Sequence, residues 1–71
     1  MNKHIELVKK WLDDKDSVTV KELRENTDAA YATYHTADES LAYHAAAEAA
    51  DAAYQAAYWV KRYEELTEGE I

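Results

Sequence analysis

The 71-residue sequence lacks several residue types, and each absence limits what the chain can be. It contains no cysteine, so no disulfide bond can stabilise a small core, and it contains no proline. Its single glycine is Gly69, so glycine, the residue that most often ends a helix, is missing from nearly the whole chain. Phenylalanine is absent, and Leu, Ile and Val together make only 11 residues. A core this small rarely supplies more than ~3–5 kcal/mol, so we expect the chain to form a homo-oligomer.

The sequence also lacks the features of membrane and nucleic-acid-binding proteins. No charge-free stretch of ~18 apolar residues occurs, so we expect no membrane span. Lys9, Lys10 and two aspartates interrupt the region where a signal peptide would be apolar. The net charge of −7 argues against direct binding of nucleic acid. We therefore expect a cytoplasmic protein that needs no cofactor.

What the sequence has in abundance is alanine, concentrated between Leu41 and Ala57 in the segment LAYHAAAEAADAAYQAA. Ten of these seventeen residues are alanine, the strongest helix former. An apolar stripe with helical steps of three and four, apart from one double step, passes through this segment. Its members are Leu23, Ala30, Tyr34, Ala37, Leu41, Ala45, Ala49, Ala52, Ala56, Val60 and Tyr63. The pattern predicts an all-α protein in which small side chains let helices approach closely.

The chain is predicted to be a single helical domain, residues 1–71. Asn2 is suited to cap a first helix, and Thr19 with Glu22 forms a capping-box pattern that starts a second one. The short connection between them favours an antiparallel helical hairpin. The predicted elements are a helix at about 2–14, a turn at 15–19, a long helix at about 20–66 and a frayed tail at 67–71.

Two clusters of cap-forming residues could interrupt the long helix. One is Asn26-Thr27-Asp28, and the other is Thr36-Ala37-Asp38-Glu39, which repeats the capping-box pattern. A break at either gives a three-helix bundle. We favour a continuous helix because helix breaks usually recruit glycine or proline, and neither is present here.

The large aromatic residues and the alanine stripe supply the candidate packing and interface residues. Tyr43 and Tyr54 are about three helical turns apart and should share one face. Tyrosine and tryptophan either fill the protein's own core or form an exposed contact surface. The candidates are Trp11, Tyr34, Leu41, Tyr43, Ala45, Ala49, Ala52, Tyr54, Ala56, Trp59 and Tyr63. We predict that Trp11, Trp59 and Tyr63 share a buried cluster, within one chain or between two.

Other side-chain patterns have simpler explanations than a chemical site. His35 with Glu39, and His44 with Glu48 and Asp51, have the helical spacing of part of a metal site, but we interpret these residues as a solvated polar stripe. Residues 18–35 superficially resemble a helix-turn-helix, but the second helix would carry no lysine or arginine to contact DNA. The sequence contains no catalytic Ser–His–Asp or Cys–His set and no phosphate-binding glycine loop, so we expect no enzymatic activity.

The two end segments carry a resemblance to known proteins. MNKHIELVKKWLDD and AYWVKRYEEL, which enclose the Ala- and Tyr-rich tract, resemble the ends of small uncharacterised accessory proteins of T4-like tailed bacteriophages. The resemblance implies a phage origin and expression in the bacterial host cytoplasm, and it implies no catalytic residue. We expect a non-enzymatic accessory protein that self-associates and binds a protein partner such as a host factor. The alternatives are a purely structural self-assembling module and an acidic DNA mimic.

Overall fold

The computed structural model describes residues 2–68, and these residues form four α-helices. Helix α1 is Lys3–Asp13, α2 is Val20–Thr33, α3 is Ala37–Ala50 and α4 is Gln55–Glu68. The all-α prediction is confirmed. The helical hairpin and the three-helix bundle are both too simple, because the predicted long helix at 20–66 is interrupted twice. Of the predicted frayed tail, Thr67 and Glu68 belong to α4, and residues 69–71 lie outside the described residues.

The start of the fold follows local capping signals. The Asn2 side chain accepts hydrogen bonds from the backbone N–H groups of His4 at 2.8 Å and Ile5 at 3.3 Å. At the start of α2, the Glu22 N–H donates to Thr19 Oγ1 at 3.1 Å, and the Thr19 N–H donates to the Glu22 carboxylate at 3.2 Å. Both halves of the predicted capping box are therefore present, and the turn before Val20 lies where the sequence places it.

The first interruption of the long helix lies at residues 34–36, beside the second of the two capping clusters, so the continuous helix that we favoured is wrong here. Thr36 is the N-cap of α3, and its Oγ1 accepts a hydrogen bond from the Glu39 N–H at 3.4 Å. The Glu39 carboxylate in turn accepts from the His35 N–H at 3.3 Å. The cluster at Asn26 causes no break, because Asn26 lies inside α2 and is buried.

The second interruption separates α3 from α4 and contradicts the prediction of continuous helix through the alanine tract. Ala52 has a φ of 58°, the left-handed conformation that usually requires glycine. The Ala53 N–H donates to the Glu48 carbonyl and the Ala52 N–H donates to the Ala49 carbonyl, both at 2.9 Å. These two bonds form a Schellman motif that ends α3. Ala52 consequently leaves the predicted apolar stripe and is exposed.

The core is built around α3, which packs against all three other helices. Ala45, Ala46 and Ala49 of α3 have no exposed surface, because their small side chains let the neighbouring backbones come close. The larger members of the core come from the flanking segments. They are Ile5, Val8, Trp11, Val18, Leu23, Val60 and Tyr63. Within residues 2–68, no helix is long and apolar enough to cross a membrane.

Candidate interaction surface

A continuous series of ring contacts crosses the surface of α2, α3 and α4. Its six rings come from the end of α2 and the residue that follows it, from the middle of α3 and from the start of α4. We call this set the aromatic band. Its members are Tyr31, Tyr34, Tyr43, His44, Tyr58 and Trp59.

Three tyrosines form one end of the band, and we call them the tyrosine triad. The ring centroids of Tyr31 and Tyr34 are 5.9 Å apart with nearly edge-on geometry. Tyr43 lies 5.4 Å from Tyr31 and stacks on Tyr34 at 5.5 Å, with ring planes only 17° apart. Such pairs contribute about 0.5–1.5 kcal/mol each beyond burial of their area. The triad therefore holds the end of α2 against α3 and presents a preorganised aromatic surface.

The other end of the band joins α3 to α4 through an imidazole. The His44 ring lies 5.6 Å from that of Tyr43 and stacks on Trp59 at 4.8 Å. Trp59 also contacts Tyr58 edge-on at 5.1 Å. His44 thus links the two halves of the band through its stacking contacts.

Much of the band is accessible to a partner. Tyr31 is 62% exposed and Tyr58 is 55% exposed, while Tyr34, Tyr43 and Trp59 are half-buried. Tyrosine and tryptophan supply large contact areas with few rotatable bonds, and they are enriched at protein-binding hot spots. A connected set of such rings on a small domain has the composition of a protein-contact surface.

The charges flanking the band differ between its two ends. At the triad end, Asp28 precedes Tyr31 by three residues and Glu39 precedes Tyr43 by four, so each carboxylate shares a helix face with a triad ring. At the other end, Arg62 follows Trp59 by three residues and Glu48 follows His44 by four, whereas Lys61 faces the groove between α1 and α4. The band is therefore acidic at the triad end and has charges of both signs at the other end.

The structure separates the predicted packing and interface residues into three groups. Buried within one chain are Trp11, Ala45, Ala49, Ala56 and Tyr63. Partly buried are Tyr34, Leu41, Tyr43 and Trp59, and the last three pack against the core. Ala52 and Tyr54 are exposed in the α3–α4 turn.

These positions revise two sequence-based groupings. Tyr43 and Tyr54 do not share a helix face, because Tyr54 lies outside both α3 and α4. Trp11 and Tyr63 do belong to the same buried core, with Trp59 packed against it, and this occurs within a single chain.

Tyr31, His44 and Tyr58 were missed as site residues. His44 was interpreted as part of a polar stripe, and the helical period gave the other two no role. Local signals were available, because Tyr31 and Tyr34 are three residues apart, a spacing that brings side chains together on a helix, and Tyr58 directly precedes Trp59. The contacts across helices depend on the two breaks, so no sequence spacing encodes them.

A buried polar pair ties α1 to α2 away from the band. His4 Nδ1 lies 2.8 Å from the Asn26 side-chain oxygen, and the Asn26 amide donates to the His4 backbone carbonyl at 3.3 Å. Because the Asn26 oxygen can only accept, His4 Nδ1 carries the hydrogen in this contact. The pair satisfies two buried polar groups and explains why Asn26 is not a helix cap.

Neither a metal-binding arrangement nor a similarity to known proteins indicates a function for this surface. Across residues 2–68, no group of three or more His, Asp or Glu side chains is placed to hold a metal ion. No family model, curated protein or solved structure matches the chain. The aromatic band is therefore the feature from which function is best argued.

Proposed function

We propose that this protein is a non-enzymatic binding module that contacts a protein partner through the aromatic band. The observation that carries the proposal is the exposure of Tyr31 and Tyr58 at opposite ends of one connected set of rings. Contacts with neighbouring rings hold these side chains in place before a partner arrives, so binding loses less side-chain entropy.

The resemblance of the end segments to accessory proteins of T4-like phages supports a more specific role. We infer that the chain is phage-encoded, acts in the bacterial host cytoplasm and binds a host protein. Its single-chain core of buried residues is suited to a small, independently folded accessory protein. Its acidic composition, with a net charge of −7, favours a protein partner over a nucleic acid.

The proposal is tested by capturing partners from bacterial lysate with wild-type protein and two surface variants. The double variant Tyr31→Ala with Tyr58→Ala should lose a stoichiometric partner while keeping its helical circular dichroism spectrum. Val20→Ala is the control, because Val20 is also exposed and lies about 16 Å along α2 from Tyr31. Equal capture by wild type and the double variant would exclude the band as the contact surface.

A second candidate function is a self-assembling structural module, and the α3–α4 turn favours it. Ala52 is held in a left-handed conformation that costs a non-glycine residue roughly 1–2 kcal/mol. Straightening the turn would relieve this strain and continue the helix through alanine, the best helix former. Helix α4 would then pack on a second copy, since short strained hinges favour domain exchange.

The self-assembly candidate is tested by measuring solution mass with multi-angle light scattering. Exchange predicts a dimer whose population falls in Ala52→Gly, because glycine removes the strain that favours opening. A wild-type protein that stays monomeric at every protein concentration measured would exclude self-assembly. The proposed binding function would not be affected by that result.

A further inference from the structure

We propose that the acidic end of the aromatic band receives an arginine side chain from a protein partner. This inference rests on the proposed function and specifies the chemistry of the partner segment. The guanidinium would lie on the tyrosine triad while its N–H groups reach the flanking carboxylates.

The distribution of charge along the chain supports a cationic partner group. No lysine or arginine occurs between Arg24 and Lys61, the whole region that supplies the triad. The same region carries Asp28 one turn before Tyr31 and Glu39 one turn before Tyr43. A cation placed over the triad therefore meets aromatic faces and carboxylates. Neither α3 nor the part of α2 that follows Arg24 carries a lysine or arginine that would repel it.

The shape of the triad favours arginine over lysine. Arginine has a planar guanidinium that stacks on aromatic rings and can donate to a carboxylate at the same time. A lysine ammonium is a compact, strongly hydrated charge that does not stack. Tyr31 is the triad ring with most surface in water, so it is the ring that the guanidinium contacts.

The other end of the band is a less favourable site for the same arginine. Arg62 follows Trp59 by three residues on α4 and repels a second guanidinium, whereas the charged residues one turn from the triad rings are the carboxylates Asp28 and Glu39. The arginine is therefore placed over the triad, where the same carboxylates disfavour a polyphosphate backbone.

The experiment selects short randomised peptides on immobilised wild-type protein and measures the affinity of each selected peptide. Peptides are resynthesised with arginine replaced by lysine and by glutamine, and tested on wild type, Tyr31→Ala, Asp28→Lys and Glu6→Lys. Glu6→Lys is the matched control, because it makes the same charge change at an exposed position on α1, which contributes no ring to the band. Circular dichroism establishes that each variant is folded.

The selected peptides should share an arginine. Their affinity should fall about two- to thirtyfold in Tyr31→Ala, the range of a single cation–π contact. It should fall roughly two- to tenfold in Asp28→Lys, and it should stay within about twofold of wild type in Glu6→Lys, where a distant exposed charge is largely screened. Replacement of the arginine by lysine should weaken binding, and replacement by glutamine should weaken it further.

Two results separate failure of the inference from failure of the proposed function. Peptides that require Tyr31 but carry no arginine, or that bind Asp28→Lys as tightly as wild type, would overturn the arginine inference and leave the band as a binding surface. Peptides that bind equally well to wild type and Tyr31→Ala, or a selection that yields no binder, would count against the band itself.

Discussion

Tyr63 places its ring in the core and its phenol hydroxyl near Asp38 and Glu39 at the start of α3. The ring is buried, and burial is the main reason why the pKa of Tyr63 lies above its ordinary value of 10.0. The negative charge of Asp38 raises the pKa further, as Glu39 does to a smaller extent, while a hydrogen bond with the Asn2 backbone lowers it. The phenolate form is therefore disfavoured in the folded protein.

This shift predicts a loss of stability in alkali. Above pH 10 an unfolded Tyr63 releases its proton while the folded one keeps it, so the free energy of unfolding falls as pH rises towards the raised pKa. Tyr63→Phe has no proton to lose and should show a shallower decline in the urea midpoint above pH 10. Tyr58→Phe is the control, because the Tyr58 ring is largely exposed. Identical slopes for wild type and Tyr63→Phe would contradict this account.

Asn26 illustrates how far a single residue can be interpreted from sequence. Asparagine beside threonine and aspartate is a common helix-capping pattern, which made this cluster one of the two places where the long helix could break. In the structure, Asn26 instead bonds His4, which is 22 residues away in the chain. Local chemistry predicts what an asparagine can bond but not which distant group the fold brings to it.

At the scale of elements, the two breaks in the predicted long helix have different causes. The break before Ala37 uses Thr36 and Glu39, a local capping signal that is visible in the sequence. The break at Ala52 has no such signal, because alanine occupies a position where glycine is usual. There the packing of α4 on α3 outweighs helix propensity, and a tertiary effect of this kind cannot be deduced from spacing.

The strained turn predicts a stabilising substitution. Ala52→Gly should raise the free energy of unfolding by about 1 kcal/mol. Glycine removes the steric cost of the left-handed alanine, and part of this gain is offset because glycine makes the unfolded chain more flexible. For a domain of this size the melting temperature should rise by about 4–8 °C. Both quantities are measurable by thermal and urea unfolding.

Ala29→Gly is the matched control for this substitution. Ala29 is exposed inside α2, where glycine should cost about 1 kcal/mol. If both variants lost stability equally, the α3–α4 turn would not hold Ala52 in the left-handed conformation.

For the whole molecule, the expectation of an oligomer came from counting large apolar residues. Burial of Ala45, Ala46 and Ala49 shows why that count underestimates the core, since four short helices bring backbones together around methyl groups. Most residues of the apolar stripe are buried within the single chain. Self-association stays a prediction, and it no longer follows from a need to cover the alanines.

The aromatic band could be predicted only in part from the sequence, because its members come from helices that meet only in the folded chain. Tyr34, Tyr43 and Trp59 were candidates because tyrosine and tryptophan favour contact surfaces. Tyr31 and Tyr58 each contact a nearby ring in the sequence, but the rings become one band only when α2, α3 and α4 fold against one another. Residue type predicted the kind of surface, whereas tertiary structure determined its members.

The packing of α3 predicts that Ala49→Leu lowers the stability of the single chain. Ala49 has no exposed surface, so a larger side chain must displace neighbouring helices, which typically costs about 1–3 kcal/mol. Ala57→Leu is the control, because Ala57 is exposed on α4 and leucine is nearly as good a helix former as alanine. Urea unfolding combined with light scattering separates a loss of folding stability from a loss of assembly. An Ala49→Leu protein as stable as wild type but of altered oligomer mass would mean that α3 packs against a second copy rather than against its own chain.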